Sequence, residues 1–192
     1  MRRLIVGMTG ASGAPLGVRL LEWLAEMPDV QTHLVMSRWA RDTIELETPF
    51  SAQEVGKLAD VVYKPNDQAA AISSGSFRTD GMVIVPCSMK TVAAIRAGYA
   101  DTLVARAADV TLKENRPLVL VPRETPLSEI HLENLLALAH KGIRIVPPMP
   151  AFYNNPAGID DIIDHIVGRV LDQLDLPAPR LRRWNGPPEQ NC

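Results

Sequence analysis

Short apolar runs alternate with helical patterns along most of the chain. A β-prone run leads into a loop, and apolar residues at helical spacing follow the loop. Three such units follow one another: Leu4 to Val6 with a helix through Leu24, Thr32 to Met36 with Arg38 to Glu47, and Met82 to Val85 with a helix through Ile95. Strands that are apolar throughout and separated by helices are typical of a parallel sheet covered on both faces.

The second half of the chain continues the alternation. Strands are predicted at Leu118 to Val121 and at Ile143 to Val146, and a last helix from Ile159 to Leu174. The helix between the two strands has an apolar face made of Ile130, Leu132, Leu135, Leu136 and Leu138. In the first half of the chain, Asp60 to Tyr63 is a predicted edge strand. The sequence thus predicts a doubly wound, Rossmann-like α/β fold of three layers, with a mainly parallel sheet and helices on both faces. We expect residues 1–176 to form one domain. The proline- and arginine-rich residues 177–192 should pack on a neighbouring subunit.

Composition narrows the class of protein. The chain has 192 residues, 46% of them hydrophobic, and a formal net charge of -2 from 20 basic and 22 acidic residues spread along its length. This charge pattern gives no basic stripe for nucleic acid, and no window reaches the roughly 20 apolar residues of a membrane span. We therefore expect a cytoplasmic protein with a small-molecule ligand. Cys87 and Cys192 stand far apart without metal-binding neighbours, which argues against a disulfide framework and a zinc site.

Three loops that follow predicted strands carry hydroxyl groups at helix starts. They contain Gly10 to Gly13, Ser37 and Pro86 to Thr91, and the carboxyl ends of parallel strands are where such sheets bind ligands. Each serine could serve only as a helix cap, but three convergent helix N-termini favour a phosphate group. A GxGxxG motif with an acid about 20 residues later is missing, so a mononucleotide such as FMN fits better than a dinucleotide.

Charged and aromatic residues follow the last strands. Arg123 and Glu124 come directly after one strand, where arginine can grip a phosphate and a buried glutamate can exchange protons; a structural ion pair is the alternative. Tyr153 in the stiff loop Pro147 to Pro156 either binds a phosphate oxygen or only packs, and Arg169 is either an anion ligand or a surface arginine. The histidines lack zinc-binding spacing and no GxSxG motif is present, so neither zinc nor triad hydrolysis is expected.

Several motifs, taken in order, resemble the UbiX-type flavin prenyltransferases, in the branch associated with hydroxyaryl-acid decarboxylases. The motifs are MTGASGAPLGVRLL, LVMS ending at Ser37, ELET around Glu47, SSGSF, PCSMKT, RAADVTLKENRPLVLVPRETP, HLENLLAL and PPMPAFYNNP, and they extend from about residue 3 to Trp184. The resemblance implies a homo-oligomer, typically a dodecamer, that joins a dimethylallyl group from dimethylallyl phosphate to N5 and C6 of reduced FMN without a metal. It also implies that the prenylated flavin passes to a UbiD-type decarboxylase.

The resemblance implies roles for individual residues. The flavin contacts are Gly10, Ala11, Ser12, Ser37, Ser88, Met89, Lys90, Thr91 and Arg123, the prenyl-phosphate contacts are Arg106, Lys113, Tyr153 and Arg169, and the catalytic residues are Ser12, Glu47 and Glu124. Ser12 and Glu124 would relay protons to phosphate and from flavin C6, and several residues should come from neighbouring subunits. Met89 and Lys90 replace small or hydroxylated residues of many relatives, so each contacts flavin through its side chain or through backbone alone.

Two other functions stay open. Flavin-dependent decarboxylases of the peptidyl-cysteine or phosphopantothenoylcysteine kind share the glycine loop, but we expect them to carry a histidine after the third strand, where Pro65 to Ala69 has none. A flavin carrier or accessory subunit of an aromatic-acid decarboxylase is the other alternative, and it would not need a second phosphate site. The prenyl donor is either dimethylallyl monophosphate or the diphosphate.

Overall fold

A computed structural model describes residues 1–186 as a layered α/β structure. Six parallel strands form one sheet in the order β3-β2-β1-β4-β5-β6. The strands are β1 (Arg2–Met8), β2 (Val30–Met36), β3 (Val61–Tyr63), β4 (Gly81–Cys87), β5 (Leu118–Pro122) and β6 (Arg144–Ile145). This order is that of the Rossmann fold, in which the chain reverses its winding direction between β1 and β4. The predicted fold class and the predicted edge strand are confirmed.

Within residues 1–186, seven helices and a short 3₁₀ turn cover the sheet. They are α1 (Ala14–Ala25), α2 (Arg38–Glu47), α3 (Ala52–Gly56), α4 (Met89–Ala97), α5 (Leu103–Lys113), α6 (Glu129–His140) and α7 (Ile159–Asp172), with the 3₁₀ turn at Ala71–Ser73. Alternate residues of β1 point to opposite faces: Leu4 and Val6 belong to the core under α1 and α7, and Ile5 belongs to the core under α4 and α5. We call these two sides the α1/α7 layer and the α4/α5 layer.

The apolar face predicted for α6 is only partly buried within the chain. Leu138 is fully buried, but Ile130, Leu132 and Leu136 are 67%, 53% and 58% exposed. The predicted helix is confirmed, but much of its apolar face is exposed on a single chain. β6 is also shorter than the predicted strand at 143–146, since it pairs with β5 only through Arg144 and Ile145. No helix within residues 1–186 is both long enough and apolar enough to cross a membrane.

The described part of the C-terminal tail lies against the chain's own helices. Arg180 pairs with Glu26 at the end of α1, and Arg183 pairs with Asp172 at the end of α7. A contact of the tail with a neighbouring subunit, and the domain boundary at residue 176, stay predictions. Cys192 and the rest of 187–192 lie outside the described residues.

Candidate active site

Four strand ends meet at one edge of the sheet through backbone hydrogen bonds. The Ser37 N–H donates to the carbonyl of the last residue of β1 at 2.9 Å, and the Thr9 N–H donates to the Pro86 carbonyl at 3.1 Å. The Arg123 N–H donates to the carbonyl of the last residue of β4 at 3.2 Å. Ser37, Ser88 and Arg123 therefore lie side by side at the carboxyl edge, as the parallel sheet predicted for them, and Thr9 lies beside them.

A network of hydroxyl groups fixes the start of α4. The Ser88 Oγ accepts the Thr91 N–H at 3.3 Å and lies 3.0 Å from the Thr91 Oγ1. The Ser88 N–H donates to the Thr9 Oγ1 at 2.8 Å, and the Thr9 hydroxyl donates to the Pro86 carbonyl at 3.0 Å. Sequence reasoning missed Thr9, although a hydroxyl residue directly after an apolar strand was a usable signal. This network joins the loop after β1 to the loop after β4.

The two residues that follow Ser88 differ in their surroundings. Met89 is buried in the core under α4 and α5, at 7% exposure, whereas Lys90 is exposed. The Met89 side chain therefore packs in the core, and only its backbone could contact a ligand. The Lys90 side chain points to solvent at a helix start, where a cation adds to the attraction for an anion.

Two of the helix N-termini at this edge are free of acidic residues. The Ser37 Oγ accepts the Ala40 N–H at 3.1 Å and so caps α2, and Ser88 caps α4 in the same way. Neither helix has an acidic residue in its first turn. The positive ends of both helix dipoles are therefore not neutralised by their own side chains, and both favour an anion.

The N-terminus of α1 is different because Glu47 occupies it. The Glu47 Oε2 accepts the Gly13 N–H at 2.8 Å and the Ala14 N–H at 2.9 Å. A carboxylate that receives two N–H groups at a helix start stabilises that helix by hydrogen bonding and by its charge. The Gly13 and Ala14 amides are therefore taken by this carboxylate, and a contact of Gly10, Ala11 and Ser12 with a flavin stays a prediction. Glu47, predicted to be catalytic, acts in this structure as the cap of α1.

The loop held by Glu47 also contains the first predicted flavin contacts. Gly10 packs so closely on α2 that an added Cβ would lie 2.3 Å from the Trp39 Cβ. Ala11 is 9% exposed and Ser12 is half-buried. A larger residue at position 10 would push the loop away from α2, so this glycine fits a role in shaping the loop.

An apolar pocket lies beyond the ends of β5 and β6. Its volume is about 240 Å³, and it is lined by Pro122, Arg123, Glu124, Thr125, Leu127, Leu135, Pro147, Pro148 and Met149. The Glu124 Oε1 accepts the Thr125 N–H at 3.1 Å, and Arg123 and Glu124 are both exposed. Among the ion pairs within residues 1–186, none joins Arg123 to Glu124, so the structural ion-pair alternative is not supported.

Arg106 lies in the first turn of α5, and Lys113 is the last residue of that helix. The Arg106 guanidinium donates to the Ser73 carbonyl at 3.1 Å and pairs with Asp109 at 2.8 Å. Lys113 pairs with Glu114 at 2.5 Å at the C-terminal end of α5, which leads into the beginning of β5. Lys113 is therefore near the amino edge of the sheet, at the opposite end from Ser88.

Tyr153 and Arg169 lie in the other layer. The Tyr153 ring packs edge to face on the His165 ring of α7 at 5.6 Å, and Arg169 pairs with Asp172 at 2.8 Å. Because α5 and α7 cover opposite faces of the sheet, one chain does not bring the four predicted prenyl-phosphate contacts together.

Other ionisable groups near the site have structural surroundings. Burial raises the pKa of the Cys87 thiol, which is fully buried at the end of β4. Burial also lowers the pKa of His33 and His165, whose rings pack on aromatic side chains. Within residues 1–186 no group of three or more His, Cys, Asp or Glu side chains is placed to hold a metal ion. Metal independence itself stays a prediction.

Comparison with known proteins places this arrangement in a family. The Flavoprotein family model matches residues 1–171. A probable UbiX-like flavin prenyltransferase of Streptomyces sp. (strain D7) is 72% identical over 184 residues, which cover 96% of this chain and 92% of the relative. A crystal structure from Escherichia coli O157:H7, described as a dodecameric FMN-dependent UbiX-like decarboxylase, has a TM-score of 0.95 at 70% identity and covers 96% of this chain and 100% of its own. The crystal structure of AnUbiX in complex with FMN and dimethylallyl pyrophosphate has a TM-score of 0.94 at 56% identity, with coverage of 96% and 98%.

Proposed function

The chain belongs to the UbiX-like flavin prenyltransferases, and from this premise we propose that it joins the dimethylallyl group of dimethylallyl phosphate to N5 and C6 of reduced FMN. It is a transferase, and FMN is its flavin. Reduced FMN supplies, when bound, the two nucleophilic ring atoms. The protein must hold the phosphates, shield the allyl group from water and move protons.

The carboxyl edge of the sheet fits FMN. The helices α2 and α4 begin there with serine caps and without acidic residues, which suits the flavin phosphate. We assign the flavin contacts to Gly10, Ala11, Ser12, Ser37, Ser88, Met89, Lys90, Thr91 and Arg123. Met89 contributes through its backbone, because its side chain is buried in the core. Glu47 acts by holding Gly13 and Ala14, and so by fixing the loop that carries Ser12.

The apolar pocket beside Arg123 and Glu124 suits the dimethylallyl group. Apolar walls protect a developing allylic charge from water, and a fixed cation stabilises the departing phosphate. The volume of about 240 Å³ is smaller than that of typical cofactor sites, so the flavin ring would lie at the mouth of the pocket. Glu124 at the rim is the candidate acceptor for the proton from C6, and Ser12 is the candidate donor to phosphate.

The remaining phosphate contacts come from other copies of the chain. Arg106 and Lys113 face outward from the α4/α5 layer, and Tyr153 and Arg169 face outward from the α1/α7 layer. Neighbouring subunits would bring these cations to the carboxyl edge, consistent with the dodecameric relative. We therefore propose a homo-oligomer, with the dodecamer as its form, and place its tail at a subunit contact.

The observation that carries this function is the joining of Ser37, Ser88 and Arg123 at one edge, next to an apolar pocket with Glu124 on its rim. The test is an anaerobic incubation of the purified protein with reduced FMN and dimethylallyl monophosphate, without added metal. Mass spectrometry should find flavin heavier by one prenyl unit. Unmodified flavin that stays tightly bound would contradict the transferase and favour the carrier, and carbon dioxide released from an aromatic carboxylate would favour a decarboxylase.

Glu124→Gln separates catalysis from binding. We expect this variant to bind FMN almost as wild type does and to form prenylated flavin more slowly, because the amide cannot accept the proton from C6. The matched control is Glu129→Gln, at an exposed glutamate in the first turn of α6. Unchanged turnover in Glu124→Gln would remove Glu124 from the mechanism.

The product needs an acceptor. Prenylated flavin formed here would pass to a UbiD-type decarboxylase, as the resemblance to the hydroxyaryl-acid branch suggests. The cytoplasmic location expected from the sequence is part of the same proposal. To test this transfer, the product is added to a purified decarboxylase that lacks its cofactor, and the recovery of decarboxylation is measured.

A further inference from the structure

The end of the described chain is docked on the α1/α7 layer. Leu181 lies over Gly168 of α7, where an added Cβ would come within 2.8 Å of the Leu181 Cβ. Arg180 donates to both carboxylate oxygens of Glu26, at 2.7 and 3.0 Å. These contacts hold 180–184, which we call the docked segment, in a defined place beside α7.

Two arginines share the carboxylate of Asp172. Arg183 of the docked segment donates to Oδ1 at 2.7 Å and to Oδ2 at 3.0 Å. Arg169 donates to the same Oδ2 at 2.8 Å. The hydrogen bonds from Arg183 hold the pKa of Asp172 below its ordinary value, so the group is ionised at neutral pH. One negative charge therefore faces two positive charges.

The two arginines hold Asp172 unequally. Arg183 binds both oxygens in the planar, two-point geometry that makes arginine–carboxylate pairs strong. Arg169 uses one terminal nitrogen on one oxygen, and its side chain is 51% exposed. Asp172 is therefore neutralised mainly by Arg183, and Arg169 keeps both charge and donor groups for another anion.

The Tyr153 ring lies between α7 and the docked segment. Tyr153 packs on His165 at 5.6 Å and on Trp184 of the docked segment at 5.6 Å. Burial, and then the nearby charge of Arg169, lowers the pKa of His165, so its ring does not add a competing positive charge at neutral pH. The docked segment thus contacts both the partner of Arg169 and the ring of Tyr153.

We propose that Arg183 is a positioning residue that makes Arg169 available to a phosphate group by neutralising Asp172. Without Arg183, Asp172 and Arg169 would form a neutral pair, and a phosphate would have to displace a carboxylate. This inference rests on the proposed function, because the phosphate in question is that of the prenyl donor. It deepens that function by linking the chain's own C-terminal segment to substrate affinity.

The test measures binding without turnover. Protein loaded with oxidised FMN, which is not the reactive form, is titrated by calorimetry with dimethylallyl monophosphate and, separately, with inorganic phosphate. Arg183→Gln should weaken the affinity for both about two- to fivefold, the range expected when an exposed ion pair is lost. The double variant Arg183→Gln with Asp172→Asn should recover wild-type affinity, because the competing carboxylate is also gone.

Two further variants separate this effect from others. Arg180→Gln removes the other ion pair of the docked segment, and Arg182→Gln removes an equal charge one residue away. Arg182→Gln should bind the monophosphate as wild type does, and Arg180→Gln, which loosens the docked segment but keeps Arg183, should weaken binding less than Arg183→Gln does. The inference is overturned if either control weakens binding as much as Arg183→Gln, or if the double variant stays as weak as the single one.

The same experiment distinguishes this inference from the proposed function. The proposed function is contradicted if the wild-type protein binds the monophosphate but forms no prenylated flavin when it is supplied with reduced FMN. In that case the order of affinities among the variants still decides the inference about Arg183. A wild-type protein that binds neither probe overturns both.

Discussion

Glu47 gives the sharpest test of how the site is built. Its Oε2 accepts two backbone N–H groups at the start of α1, at 2.8 and 2.9 Å, and it reaches them from the last turn of another helix. Glu47→Ala removes a helix cap, which costs about 0.5–2 kcal/mol, and a negative charge at a helix N-terminus, which costs about 0.3–1 kcal/mol more. A loss of about 2 kcal/mol in the free energy of unfolding is therefore expected.

The assay is thermal unfolding at matched protein concentration. For a chain of this size a loss of about 2 kcal/mol lowers the melting temperature by roughly 4 to 8 °C. Glu47→Gln keeps an oxygen acceptor and loses only the charge, so it should melt roughly 1 to 4 °C below wild type. Glu45→Ala, an exposed glutamate of the same helix, is the matched control and should stay within about 0.5 kcal/mol of wild type.

Two results would refute the reasoning about Glu47. If Glu47→Ala melts with the Glu45→Ala control, the two hydrogen bonds do not stabilise α1. If Glu47→Gln melts near wild type but forms no prenylated flavin, Glu47 exchanges a proton with the substrates. The catalytic role implied by the family resemblance would then be correct, and the cap would be secondary.

Three further variants test the core, the acid stability and the flavin site. Gly17→Ala should lower the free energy of unfolding in urea by about 1–3 kcal/mol, because the added Cβ would lie 2.7 Å from a backbone carbonyl of β4. Hydrogen bonds from the Thr32 backbone and side chain lower the pKa of Asp60 in the folded state. The ionised Asp60 therefore stabilises the fold above the unfolded pKa near 4, and this stabilisation is lost as the pH falls through the lower folded pKa. When urea unfolding is measured from pH 6 to pH 2, Asp60→Asn should lose less free energy of unfolding than wild type, and equal losses would contradict this. Ser88→Ala should raise the Kd for FMN about fivefold in a fluorescence titration, whereas Ser128→Ala, which removes the cap of α6, should leave the Kd unchanged.

The sequence predicted most of the sheet because buried parallel strands carry a direct signal. The strands β4 and β5, and β1 from Leu4 onward, have no charged residue, since both of their faces are covered. The strand β6 pairs on one side only, through Arg144 and Ile145, and the Arg144 side chain donates to the Gln173 carbonyl beyond α7. The predicted strand there was too long because hydrophobicity marks burial and does not show where pairing ends.

The site was predictable where it depends on strand ends and not where it depends on long-range partners. Ser37, Ser88 and Arg123 follow strands directly, so the topology alone brings them together. The contact of Glu47 with the start of α1 spans 34 positions in the sequence. No local pattern distinguishes a glutamate that caps its own helix from one that caps another. The family resemblance marked Glu47 as important, and only the structure shows what its carboxylate contacts in this chain.

The separation of cations between the two helix layers constrains how the reaction can proceed. Departure of a phosphate group requires its charge to be neutralised where the bond breaks, and the carboxyl edge of one chain contributes Arg123 after β5 and Lys90 at the start of α4. Lys113 and Arg169 lie on opposite sides of a sheet whose faces are both covered by helices. Neither can cross that sheet without unfolding the layer that carries it. The proposed assignment of Lys113 and Arg169 to the prenyl phosphate therefore requires neighbouring subunits to assemble around that edge.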